Sequence, residues 1–159
     1  MRRLALYAFV VSIVWLSFVV AISFIEAPAK FTALKLEKIE AVTPALQHAL
    51  IIGHHVFHKL NRIEWICCAF SWLLVLRIRV VRTPGSVALL MAITALLAFQ
   101  TWGLYPVLDE RVRQVVAGTL PPDTWHHLAF IIAEGVKVVL LGVLSAAQIQ
   151  AFAQAVVSE

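Results

Sequence analysis

Long apolar runs separated by short polar breaks dominate the chain. Leu4 to Ile25, Val87 to Tyr105 and Trp125 to Leu144 each approach the roughly 20 residues that a helix needs to cross a hydrocarbon core of about 30 Å. A fourth run is entered through polar residues. If Arg77 marks one interface, counting back roughly 20 residues places the other near Phe57. The pattern predicts an all-α integral membrane protein. Its expected architecture is a four-helix bundle running up-down-up-down, with spans at about residues 4–25, 57–76, 87–105 and 125–144 of a single transmembrane domain, 1–159.

Local signals set the expected boundaries. Met1-Arg2-Arg3, the apolar run and Ala27-Pro28-Ala29 look like a secretory signal. The run exceeds the 7 to 15 residues of a signal core, so it reads as an uncleaved first span. Pro28 is expected to stop or kink the helix near the interface. Ala33 to Val42 reads as a short interfacial helix or loop. Thr43-Pro44 then supplies an N-cap and a first-turn proline, opening a second helix of about 35 residues that projects beyond the bilayer. Arg77, Arg79 and Arg82 with Thr83-Pro84-Gly85-Ser86 form a basic turn. Trp102 and Tyr105 suit an interfacial aromatic belt, and Asp123 or Thr124 can cap the last span. No internal repeat is evident.

Composition supports the membrane reading. With 62% hydrophobic and 14% charged residues, the chain has too little polar surface for a soluble domain of 159 residues. The net charge of +4 comes without a basic cluster outside the interfacial loops, so nucleic acid is not indicated. The expected surroundings are a lipid bilayer, taken as the bacterial inner membrane, with both termini cytoplasmic. The expected partners are further copies of the chain or a larger membrane complex. Cys67 and Cys68 are adjacent on a helix, where a disulfide would distort the backbone, so both read as small apolar side chains.

Alternating spans bring the ionisable residues to one half of the bilayer, in two tiers. The outer tier holds Glu26, Lys30, His54, His55, His58, Asp109, Arg111, His126 and His127; the inner holds Glu64, Gln100, Glu134 and Lys137. His54, His58, Asn61 and Glu64 fall on one helical stripe roughly 80° wide. A charge at mid-bilayer is expensive, about 2.5 to 3.5 kcal/mol on insertion scales, so Glu64 is the expected partner of Lys137.

Three readings follow. One is a metal site drawn from His54, His58, His127, Glu134 and Glu64, since imidazole with carboxylate suits copper, zinc or iron; the cofactor could instead be haem b between His58 and His127. Another is a non-catalytic accessory subunit in which Glu26, Lys30, Asn61, Glu64, Gln100, Asp109, Arg111, Glu134 and Lys137 form a structural polar network. The third is a proton or ion relay through Glu64, Glu134 and Lys137. Nucleophilic catalysis is the weakest reading, because Ser12, Ser17 and Ser71 lie in other stretches and the cysteines lack a basic neighbour.

Several motifs together resemble a family of small four-span bacterial inner-membrane proteins. They are Glu26-Ala-Pro-x-Lys30-Phe31, Phe57-x-x-Leu60-Asn61-Arg62-x-Glu64, Gln100-Thr101 leading to Pro106-Val-Leu-Asp109-x-Arg111, and His127 with Glu134-x-x-Lys137. The resemblance covers most of the chain and implies the fold, without supplying an activity. The family pattern carries arginine where this chain has His54, lysine where it has His58 and an apolar residue where it has His126. The resemblance therefore implies Glu26, Lys30, Asn61, Glu64, Gln100, Asp109, Arg111, His127, Glu134 and Lys137 as shared positions, and leaves the two histidines of the second helix as a property of this chain.

Overall fold

The computed structural model describes residues 2–34, 41–79, 81–122 and 124–157, and these residues are all-helical, with no strand among them. Four long rods follow one another. The first comprises α1 (Arg2–Val19), a π-helical segment π1 (Val20–Glu26) and α2 (Ala27–Ala33). The second is the unbroken α3 (Pro44–Arg77). The third joins α4 (Pro84–Phe99), a second π segment π2 (Gln100–Leu104) and α5 (Tyr105–Val116), and the fourth is α6 (Trp125–Val157).

The start of α3 follows its sequence signal, and α4 starts in the same way out of the basic turn. Thr43 Oγ1 accepts from the Leu46 amide at 3.2 Å and Thr83 Oγ1 from the Ser86 amide at 3.1 Å, each with proline in the first turn. Of the Ala33–Val42 segment, residues 35–40 fall outside the described set, as does Asp123.

Pro28 does not stop its helix, which runs on to Ala33. Proline removes an amide donor and crowds the carbonyl four residues back, and here the wider π turn ahead of it re-spaces those carbonyls. The Ala27 amide accordingly donates to Ile22, five residues back. The same device recurs before Pro106, where the Tyr105 amide donates to Gln100 and the rod continues as α5.

The rods Leu6–Ala33, Pro84–Val116 and Trp125–Gln154 are long and apolar enough to cross a membrane. α3 is not among them, because Lys59, Arg62 and Glu64 interrupt its apolar run ahead of Trp65. Each rod packs on two others: α1 on α3 and α6, and α4 on the same pair. Trp15, Val19, Cys68, Val75, Leu90, Ile93, Leu97, Leu141 and Leu144 form the main core between them. Ala8, Ile78 and Val81 form a second cluster toward the Arg77 end, and Leu104, Tyr105 and Phe130 a third toward the other end.

The aromatic belt expected from Trp102 and Tyr105 divides. Trp102 is 71% exposed, whereas Tyr105 is buried and donates its hydroxyl to the Phe57 carbonyl at 3.0 Å. A π turn re-phases the residues beyond it by about one position, roughly 100°, which carries Tyr105 inward. There its hydroxyl needs a partner. Cys67 and Cys68 are free thiols.

Candidate functional site

Side chains one turn apart on a helix stand above one another, so His54 and His58 present their rings to the same neighbour. Their ring centroids lie 4.4 Å apart. That neighbour is Asp109 on α5, brought there because π2 and Pro106 extend the third rod past the point where its apolar run ends. His54 Nε2 lies 3.1 Å from Asp109 Oδ1, and His58 Nε2 lies 3.0 Å from the same oxygen and 3.1 Å from Oδ2. One ligand atom from each of the three residues can be chosen so that all fall within 4.8 Å of one another. All three side chains are part-exposed. Burial pulls the His54 imidazole below its usual 6.5, against the opposing pull of the Asp109 carboxylate. The neutral ring with a free lone pair is thereby favoured.

The cluster sits on the wall of a cavity of about 900 Å³. Lys30, Arg111 and His127 share this wall, among apolar residues such as Phe57, Phe130 and Ile131. Lys30 lies across α3 at Gly53, where an added Cβ would come within 3.2 Å of its Nζ, and it pairs with Glu26 at 3.2 Å. Arg111 donates to the Pro122 carbonyl and to Thr124 Oγ1, both at 2.7 Å, tying α5 to the start of the fourth rod.

Deeper in the molecule lies a second polar centre. Lys137 Nζ donates to Glu64 Oε1 and, at 2.7 Å, to Glu134 Oε1. Trp15 Nε1 donates to Glu64 Oε1 at 3.1 Å, Gln100 Nε2 to Glu134 Oε1 at 2.7 Å, and Ser23 Oγ to Glu134 Oε2 at 2.8 Å. Every rod thus contributes a side chain. Asn61 Nδ2 and Trp65 Nε1 both donate to Thr101 Oγ1, at 2.9 and 3.0 Å, joining α3 to the π2 segment.

The structure therefore distributes the expected metal set over two places. His54 and His58 meet Asp109, with His127 on the same cavity, while Glu64 and Glu134 engage Lys137. The pairing of Glu64 with Lys137, expected from their depth, is present. Trp15, Ser23 and Thr101 were not among the candidates read from the sequence. Trp15 and Ser23 are isolated polar groups within an apolar run, with helical period as their only signal, whereas Thr101 stood only in the Gln100-Thr101 motif. Comparison with known proteins gives no matching family model, no matching curated protein and no matching solved structure.

Proposed function

We propose that this chain is a four-span membrane protein, of the bacterial inner-membrane family it resembles, that binds a transition-metal ion of the zinc or copper class at His54, His58 and Asp109. The observation that carries the reading is the convergence of two imidazole Nε2 atoms on one carboxylate at 3.0 and 3.1 Å. Two imidazole ligands and a carboxylate suit borderline divalent ions, and three protein ligands leave a coordination position open toward the cavity. The ion's place would be at the outer mouth of the molecule, where part-exposed ligands can exchange it with solvent. This is a binding function rather than catalysis.

The up-down-up-down arrangement rests on the pairings at each interface, whose residue numbers run in opposite senses. Trp15 meets Glu64 while Lys30 lies over Gly53; Asn61 meets Thr101 while His58 meets Asp109; Gln100 meets Glu134 while Arg111 meets Thr124. A fourth span through α3 is supported by Ile66, Phe70, Leu73 and Leu76, which form an exposed apolar stripe at helical spacing beyond Glu64. The rival reading is a non-catalytic accessory subunit. What favours it is the hydrogen-bonded network around Glu64, Glu134 and Lys137, which can serve as interhelical glue without any ligand.

Elemental analysis and calorimetric titration with zinc and copper, on protein purified in mild detergent, separate the two. The metal reading expects one ion per chain, lost in His58→Ala and in Asp109→Asn but retained in Glu134→Gln. Binding that is absent, or indifferent to the first two changes, leaves the accessory reading standing. Haem b held by His58 and His127, both on the cavity wall, would instead declare itself by a Soret band in the same sample.

A further inference from the structure

The deep charge centre has a charge imbalance that the metal site does not explain. Glu64 is 1% exposed, Glu134 2% and Lys137 0%, and both carboxylates pair with the same ammonium. With all three ionised the centre carries one net negative charge inside an apolar core, a state that burial penalises. Cys67 and Cys68 on α3 and Tyr105 on α5 are titratable side chains that feel that charge, and neither thiol nor phenol can supply a positive one. Facing it from the other rods are Trp15, Ser23 and Gln100, which are neutral donors.

The two carboxylates are not equivalent. Glu134 accepts from Lys137 and Gln100 on Oε1 and from Ser23 on Oε2, so both of its oxygens are engaged. Glu64 accepts from Lys137 and Trp15 on Oε1 alone. The oxygen that can take a hydrogen without displacing one of these donors is Glu64 Oε2.

A second observation bears on how such a hydrogen would arrive. Ser12 Oγ, Ser71 Oγ, Ser145 Oγ and both amide atoms of Gln148 are buried without a hydrogen-bond partner among the described residues. In helix register all four side chains lie between the charge centre and the Ala8, Ile78 and Val81 cluster, on the side away from Asp109. Buried polar groups of this kind are where internal water binds, because a water can satisfy several at once.

We propose that Glu64, Lys137 and Glu134 form a proton-binding site, in which one proton on Glu64 Oε2 makes the centre neutral and exchanges with the Arg77 end through water held by Ser12, Ser71, Ser145 and Gln148. Binding turns a carboxylate into a carboxylic acid and takes the centre from one net negative charge to zero. The proton comes from solvent and returns to it, so no co-reactant is needed.

Infrared spectroscopy of the full chain in lipid vesicles tests this, because a protonated carboxyl has a carbonyl stretch of its own that shifts in deuterium oxide. The wild type should show that band at neutral pH. Glu64→Gln and Glu134→Gln should each abolish it, since either leaves one carboxylate for one ammonium, and Lys137→Met should enlarge it. Gln148→Leu should keep the band and slow its deuterium shift several-fold. A wild-type spectrum without the band overturns the proposal whatever the variants do, and so does a band that survives both glutamine changes. An unchanged shift rate in Gln148→Leu overturns the route. Should a variant fail to fold, Gln100→Leu gives a second readout: with the Gln100 donor gone from Glu134, the band should move in frequency and stay in amplitude, and a frequency identical to the wild type counts against the site.

Discussion

Lys137 illustrates how a single side chain can organise a membrane core. Its ammonium is the one positive end of a network that reaches Glu64 on α3 and Glu134 one turn back on α6, and Ser23, Trp15 and Gln100 tie the remaining rods to those carboxylates. Removing one member of a buried ion pair leaves an uncompensated charge, at about 3–5 kcal/mol. Lys137→Met should therefore be severely destabilising. Adding Glu64→Gln should cost little more, because the Lys137–Glu64 contact is already lost, so that the double change costs less than the sum of the singles, with a coupling of about 0.5–3 kcal/mol. Unfolding titrations of the three variants in detergent measure this, and strict additivity would mean that the two side chains do not support one another.

At the scale of elements, the two π segments decide which residues can meet. Each widens one turn ahead of a proline, and each lets its rod continue where a plain α-helix would break. The second has a direct consequence for the proposed metal site, because Asp109 lies beyond it. Deleting the exposed Gly103 should restore four-residue hydrogen bonding and turn α5 by about 100° relative to α4, carrying Asp109 away from His54 and His58. The expected outcome is retained helicity by circular dichroism with zinc or copper binding lost. A deletion variant that binds metal as the wild type does would show that π2 does not aim Asp109. Thr43, by contrast, acts locally. Replacing this cap by alanine should cost about 1 kcal/mol in unfolding titrations and leave the site's chemistry untouched.

For the whole molecule, the proposed metal binding and protonation would oppose one another. An ion that binds the folded chain alone adds about 2.7 kcal/mol of stability at a hundred times its Kd. Protons compete for the same imidazole nitrogens, so this gain should fade as pH drops through the histidine range. The metal-free fold should change in the same direction. His54 is held below its usual 6.5 mainly by burial, so the unfolded chain binds its proton more readily. Its contribution is therefore most favourable above about 6.5 and declines as pH falls toward the folded-state value. Thermal melts across a pH series, with and without zinc, should show the zinc-induced rise in Tm vanish at acid pH. A rise that persists there would place the ion elsewhere.

Much of this was legible in one dimension. Apolar length alone specifies helices that cross a membrane, because lipid leaves the backbone no alternative to internal hydrogen bonds. The depth of Lys137 and Glu64, counted at the rise of a helix, is enough to pair them, since neither charge tolerates isolation. The i, i+4 histidines of α3 are visible in the same way. What the tertiary structure decided is which acid they face. Helical phase can be counted only through regular turns, and π1 and π2 shift that phase by about one residue each without announcing themselves in the sequence. Past those shifts Tyr105 turned inward and Asp109 arrived beside His54 and His58, while Glu134, on the unbroken α6, kept company with Lys137. The division of the polar residues into an outer histidine–aspartate cluster and an inner charge centre is thus a matter of packing four rods. No single stripe of residues contains it.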